Sequence, residues 1–224
     1  MLSVCLVNIT KIFGIEMLIE TQILENFFDD PESVKNFAIS SKYYPCNFYQ
    51  STSIYSGYRC TIQDEKIESE IISKIKKILD KDNIKLSSCF HLNTNTSMLG
   101  FPHHDSQDPR SFAAVIYLNE NAPVNTGTSI FKNKSTDYVI ENYTHKMQIV
   151  YDVSLPPNNS IKQKFAKEIF EYKQSLTLET KSENVFNRIF LYSSKKYHSP
   201  NLYFGKNIHD GRLTIAIHGS IYAN

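Results

Sequence analysis

Two hydrophobic periods alternate along the chain. Ile67, Ile71, Ile75 and Leu79 recur every four residues, Ile72 and Ile78 widen the stripe, and lysines and glutamates fill the other side. This spacing puts the apolar residues on one face and predicts an amphipathic helix over Asp64–Leu79. Its charge run reads as a solvated face rather than a binding patch. From Lys85 the period falls to two. Leu86, Ser88, Phe90 and Leu92 alternate with Ser87, Cys89, His91 and Asn93, the pattern of a strand.

The same reading extends to both sides. Ile19–Phe28 reads as a strand running into a turn. Asp30 is then placed to cap a helix that starts at Pro31 and runs to about Ser40, with Glu32 beside the positive end of its dipole. Gln50–Thr61 is aromatic and turn-rich around Ser56-Gly57-Tyr58-Arg59. Ser111–Asn119 is apolar on both faces, as a buried strand is. Gly127–Phe131 is a turn feeding a strand, and Lys146–Val153 a further short strand. Pro156-Pro157 breaks the pattern, and Ser160 caps a helix over Ile161–Gln174 with Phe165, Ile169 and Tyr172 on its apolar side. Asn187–Ser193 and Arg212–Tyr222 are strands. Two helices, then short strands interrupted by a helix, predict an α+β fold around a β-sandwich or barrel. A chain of 224 residues fits one domain of this kind, residues 1–224. Residues 1–18 are a candidate extension and Met17 a second candidate start. Residues 135–183 are an insertion or a lid over a substrate pocket.

Composition narrows the function classes. The hydrophobic and charged fractions, 41 % and 21 %, are ordinary for a globular protein. A net charge of +1 argues against a dedicated nucleic-acid surface, although Lys132, Lys134, Lys195 and Lys196 offer a local patch. Lys11 and Glu16 interrupt the apolar Met1–Met17 segment, which lacks a basic start and a small-residue cleavage site. Neither a membrane span nor a signal peptide is expected. Cys5, Cys46, Cys60 and Cys89 form no C-x-x-C pair, so reduced thiols and a cytoplasmic location are expected.

Against this background one set of residues carries chemistry: His103-x-Asp105, His198 and Arg212-x-Thr214. Two histidines and a carboxylate are the facial ligand set of non-haem iron(II), which leaves coordination positions open. His103 and Asp105, two apart in extended chain, project to the same side, while His104 points away. The second histidine has to come from elsewhere, from His91, His145, His198, His209 or His218. His198 fits best, just past a strand end where Ser199-Pro200 stops the pairing. His218 shares a face with Arg212, but six residues of strand put roughly 20 Å between their backbones, too far for groups gripping opposite ends of one small ligand. Arg212, Thr214 and Ala216 share the inward face of the last strand. A buried arginine there calls for an anion, which a ligand carboxylate meets with two parallel hydrogen bonds. Two histidines and a carboxylate can also hold zinc with an activated water, but no H-E-x-x-H pattern supplies a general base.

These residues resemble the iron(II)- and 2-oxoglutarate-dependent dioxygenases, in their small prolyl-hydroxylase-like branch. The similar stretches are Glu25–Pro31, His103-His104-Asp105-Ser106, Ala114–Asn119, Gly127–Phe131, Tyr197–Pro200 and Gly211–Thr214, spread over nearly the whole chain. The resemblance implies a double-stranded β-helix, or jelly-roll, core flanked by the N-terminal helices. It implies iron on His103, Asp105 and His198, and 2-oxoglutarate with its distal carboxylate on Arg212 and Thr214. It further implies dioxygen as co-reactant, release of succinate and CO2, and hydroxylation of a C–H bond in an amino acid, peptidyl residue or small metabolite. The intact Asp105 argues against the halogenases of this superfamily. Asn93 and Tyr117 are candidate cosubstrate contacts and Tyr192 a further pocket residue. The alternatives are a non-catalytic jelly-roll binding module and a zinc-dependent hydrolase; oligomeric state stays open.

Overall fold

Local chemistry starts each of the two N-terminal helices. In the computed structural model, which describes residues 19–46, 56–97, 100–132 and 160–222, the Asp30 carboxylate accepts from the Ser33 N–H at 3.1 Å and Pro31 opens α1, Pro31–Ser40. Asp64 accepts from the Ile67 N–H at 2.9 Å and starts α2, Glu65–Leu79. Each cap satisfies one of the donors that a helix start leaves without an intrahelical partner. Asp80 ends α2 in the left-handed region, φ 51°. The stripe Ile67, Ile71 and Ile75 is buried, as its spacing requires.

The stripe has a sheet to bury against. Seven antiparallel strands run in the order β1-β8-β5-β10-β4-β3-β2: β1 Gln22–Leu24, β2 Tyr44–Pro45, β3 Tyr58–Thr61, β4 Ile84–Asn93, β5 Ser111–Tyr117, β8 Ile189–Ser193 and β10 Arg212–Ile221. A second sheet holds β7 Leu178–Ser182, β6 Thr128–Phe131 and β9 Tyr197–Pro200, in the order β7-β6-β9. A third helix, α3, covers Ser160–Ser175. This is the α+β jelly roll that the sequence predicts.

The alternation along β10 decides where function can sit. Leu213, Ile215 and Ile217 join Ile71, Ile75, Phe90, Ile116 and Leu191 in the core beneath α1 and α2. Arg212, Thr214, Ala216 and His218 face the other way, into a cavity. A smaller cluster, Ala113, Tyr117, Ile130, Phe190 and Tyr192, packs on that inner side. β5 is apolar on both faces because one face meets helices and the other the second sheet. Ile71→Ala removes a fully buried side chain from the helix–sheet core and is expected to cost about 2–5 kcal/mol. Urea unfolding measures the loss, and metal uptake by the folded fraction is expected to stay unchanged.

Four strands escape the sequence reading. β7 and β9 are short edge strands of the second sheet, β2 is a two-residue edge strand of the first, and β3 lies inside the stretch read as turn-rich. The β1 pairing is confined to Gln22–Leu24 of the longer predicted strand. The predicted strand over Lys146–Val153 and the larger part of the 135–183 insertion lie outside the described residues. Its described end is α3 and β7, with Phe165, Ile169 and Tyr172 buried as the spacing predicts.

Candidate metal centre

His198 is not past a strand end; it lies within β9, where it pairs with His103. Each donates its backbone N–H to the other's carbonyl, both at 3.0 Å. Two residues on, the Asp105 N–H bonds the Ser194 carbonyl at 3.1 Å. The main chain therefore aligns the His103–Asp105 segment with the β8–β9 turn and brings three donor side chains to one point.

The side chains complete the geometry. Asp105 Oδ1 lies 3.4 Å from His103 Nε2, and Oδ2 lies 3.4 Å from His198 Nε2. One donor atom from each of the three residues lies within 4.8 Å of the others. Donors at about 2.1 Å from a shared ion and at right angles to each other sit about 3 Å apart, so little adjustment would seat one. The second ring nitrogens point the same way chemically. His103 Nδ1 is 2.7 Å from the Phe101 carbonyl and His198 Nδ1 is 2.9 Å from the Lys196 carbonyl. A carbonyl only accepts, so each Nδ1 carries a proton and each Nε2 is the atom turned toward the centre. This outer hydrogen bond is the one that orients metal-ligating histidines. The donor set thus fits a divalent ion.

Electrostatics keeps the donors ready. Burial, with His103 alongside, pushes His198 down to about 4. Burial would raise the Asp105 carboxyl, but the contact with His103 and the fields of His198 and His218 hold it below the ordinary range. His91, in the same wall, is pushed down to about 3 by burial and by Arg59. In the unfolded chain both rings titrate near 6.5. Between these values the unfolded chain binds more protons than the folded one, so stability falls with falling pH. Each ring contributes a slope of about 1.4 kcal/mol per pH unit over that window. Asp105 adds its own loss below its ordinary 3.8. The urea midpoint of the metal-free protein is expected to be clearly lower at pH 5 than at pH 7; equal midpoints would contradict this assignment.

The three donors share a cavity of about 80 Å³ with Arg212 and Thr214. Arg212 is 3 % exposed. Its Nε donates to the Thr126 carbonyl at 2.8 Å and its Nη2 approaches Thr128 Oγ1 at 3.3 Å. The guanidinium also lies over the rings of Tyr117 and Tyr203, 5.7 and 5.9 Å from their centroids. Among the described residues no carboxylate lies within ion-pair distance of it. Gly127 matters here, because a Cβ at that position would sit 1.8 Å from the Ser182 carbonyl, and the segment presenting carbonyls to Arg212 could not approach β7. Thr214 Oγ1 donates to the His91 carbonyl at 3.3 Å.

The remaining candidates fall into place around this core. Tyr117 is fully buried beneath Arg212 and Asn93 is fully buried on β4; neither is in the cavity lining. Asn93 Oδ1 accepts from Ser56 Oγ at 3.1 Å, and its Nδ2 lies 3.2 Å from His91 Nε2. Tyr192 lines the cavity, its ring 4.7 Å from that of His198. His104 turns away to the Lys195 carbonyl, and His209 sits in an exposed turn. His145 lies outside the described residues.

His218 corrects the distance argument. Its Nδ1 is 3.6 Å from Asp105 Oδ2, and it lines the cavity together with Arg212. The backbone separation along β10 is real, but the cavity extends along that strand and Asp105 comes to its far end from a different segment. Arg59 and Tyr203 are cavity residues that the sequence reading missed, and His91, weighed there as a possible metal ligand, lines the cavity outside the donor set. The Arg59–His91–Thr214 row depends on pairing between β3, β4 and β10, which no local pattern announces. Cys46, Cys60 and Cys89 form no disulfide. Among the described residues no helix is long and apolar enough to cross a membrane.

The model of a family described as "Family of unknown function (DUF6445)" matches residues 19–218. No curated protein matches by sequence. HygX from Streptomyces hygroscopicus, solved with nickel and 2-oxoglutarate bound, is similar in structure with a TM-score of 0.54 and 10 % identity, over 90 % of this chain and 82 % of that one. SnoN, described as a non-heme alpha ketoglutarate dependent epimerase from nogalamycin biosynthesis, gives 0.51 and 11 %, over 90 % and 77 %. AviO1 from Streptomyces viridochromogenes gives 0.50 and 11 %, over 92 % and 91 %. At these identities the likeness is one of fold, the jelly roll of iron- and 2-oxoglutarate-dependent enzymes.

Proposed function

This chain belongs to the DUF6445 family of unknown function, and we propose that it is an iron(II)- and 2-oxoglutarate-dependent oxygenase of the small prolyl-hydroxylase-like type. The observation that carries the reading is one cavity holding both a two-histidine, one-carboxylate donor set and a buried arginine with no carboxylate near it among the described residues. A lone metal-binding fold accounts for the donors and leaves the cost of burying Arg212 unexplained.

His103, Asp105 and His198 would hold iron(II), and Arg212 with Thr214 would receive the distal carboxylate of 2-oxoglutarate. When bound, this pair supplies oxidation of a C–H bond by dioxygen, with 2-oxoglutarate converted to succinate and CO2. The chain's own work is positional. The Phe101 and Lys196 carbonyls fix the imidazoles, and the Thr126 carbonyl and Thr128 hydroxyl aim the guanidinium. The Tyr117 and Tyr203 rings flank that cation and keep its surroundings poor in water, which strengthens each charge interaction in the cavity. Hydroxylation of an amino acid, peptidyl residue or small metabolite is the outcome we assign.

The test is formation of succinate from 2-oxoglutarate by purified protein, with iron(II) and oxygen each withheld in turn. Slow succinate formation that requires both supports the reading. Succinate formation indifferent to iron, or none with iron bound, would contradict it.

A further inference from the structure

Two hollows meet at the donor set. The enclosed cavity of about 80 Å³ holds Arg212 and Thr214 at one end. At about 10–15 Å³ for each enclosed water it has room for roughly six, enough for one small diacid and no second molecule. A separate, more open groove of about 400 Å³ lies along the other end of β10. Among the described residues, Asp105 and His218 line both. The alternation of β10 carries its inward face past the donors, from Arg212 through Thr214, Ala216 and His218 to Ser220.

The wall of this groove is rich in serine. Ser220 pairs in register with Ser111 on β5 and with Lys85 on β4, and His218 pairs with Ser87. Ser194 follows β8 and braces the donor segment: its carbonyl accepts from the Asp105 and Ser106 N–H groups at 3.1 and 3.3 Å. Its side chain has a different standing. Ser194 is 2 % exposed and lines the groove, and its hydroxyl makes no hydrogen bond among the described residues. Buried hydroxyls are ordinarily paired, so this one calls for a partner in the groove.

The bonds already made decide which partner fits. Ser111 and Ser220 share one hydrogen bond at 3.1 Å. Ser106 Oγ accepts from the Asp108 N–H at 3.0 Å. A hydroxyl has one proton and two lone pairs, so across Ser87, Ser111, Ser194 and Ser220 the free lone pairs outnumber the free protons. An oxyanion brings no proton to those lone pairs. The pull of Lys85 on such an anion is screened, because Lys85 is exposed. An ammonium brings no acceptor for the serine protons. A neutral hydroxyl both donates and accepts, and meets the wall on either count.

We infer that this groove is the primary-substrate site and takes a neutral, hydroxyl-rich molecule, a sugar or cyclitol, held by the Ser194 hydroxyl with its target C–H bond on the Asp105–His218 side. The inference rests on the oxygenase reading above and narrows its substrate. The enclosed cavity serves the cosubstrate and the groove the substrate, from opposite ends of one strand face.

The experiment uses the full chain with iron(II) and 2-oxoglutarate under anaerobic conditions, following the visible charge-transfer band of the chelate. The probes are methyl pyranosides and cyclitols, each beside a deoxy partner, with uronic acids and L-amino acids as charged controls. A pyranoside or cyclitol is expected to shift the band, and its deoxy partner to need a higher concentration. Ser194→Ala is expected to raise the half-saturating concentration about 3- to 10-fold, the contribution of one hydrogen bond. Its melting temperature should stay unchanged, because the hydroxyl lost has no partner in the described fold. Ser87→Phe, at an exposed strand position, fills the groove and is expected to abolish the shift while the band still forms. A lower melting temperature in Ser194→Ala makes the hydroxyl part of the fold and overturns the inference. A response confined to the charged probes overturns it, as does a shift that both variants leave unchanged, or no shift with any probe while the band is present. Each of these outcomes leaves the oxygenase reading standing. Absence of the band in the unmodified protein defeats the oxygenase reading, and the inference with it.

Discussion

Replacing His103 or Asp105 by alanine is expected to abolish iron-dependent succinate formation. Disturbing merely an outer hydrogen bond of a metal ligand costs about 10- to 100-fold in affinity or activity, and these substitutions remove a ligand outright. Asp105 carries the greater share of the charge argument, because it is the one carboxylate among the described residues that line the cavity. His103→Ala also leaves the backbone pairing with His198 intact, since both bonds of that bridge are main chain. The variant is therefore expected to fold, with a melting temperature near that of the metal-free protein and without the rise that iron gives by mass action. Full activity in both alanine variants would remove the metal assignment.

The second large effect is expected at Arg212. Arg212→Gln is predicted to raise the dissociation constant for 2-oxoglutarate by between roughly 30-fold and several thousand-fold, the range for truncating one partner of a buried, hydrogen-bonded charge pair. Iron affinity should change little, because none of the three donors touches the guanidinium. The residue also holds the Thr126 carbonyl and the Thr128 hydroxyl, so a stability loss of about 1–3 kcal/mol accompanies the change. Arg212→Lys separates the two effects. It keeps the charge but lacks the planar fork, so it should restore part of the cosubstrate affinity and little of the bidentate geometry. Parallel loss of iron and 2-oxoglutarate binding would mean a collapsed cavity rather than a lost anion partner.

What could be read in advance follows the range of the forces. Asp30 and Asp64 cap their helices through bonds three residues away, and the isoleucine stripe of α2 repeats within one segment. These features are written locally and are legible. The alternation of β10 is equally local, which is why Arg212 and Thr214 could be put on an inward face. The pairing of His103 with His198 joins segments far apart in the chain, and β9 exists as a strand because β6 lies beside it. No periodicity in Tyr197–Pro200 could show that. Arg59 is hidden for the same reason: its four-residue strand lies inside a stretch read as turn-rich and reaches the cavity wall by pairing with β4. His218 was set aside on a distance along one strand, while the partner that matters, Asp105, arrives from another.

The most direct test of the account is anaerobic addition of iron(II), then 2-oxoglutarate, to the purified chain, with His103→Ala beside it. A weak visible charge-transfer band in the unmodified protein, absent from the variant, is the predicted result. It would show the ion and the keto acid meeting at His103, Asp105 and His198. A folded protein that binds iron yet gives no band would contradict the account and leave the cavity as a metal site without a cosubstrate.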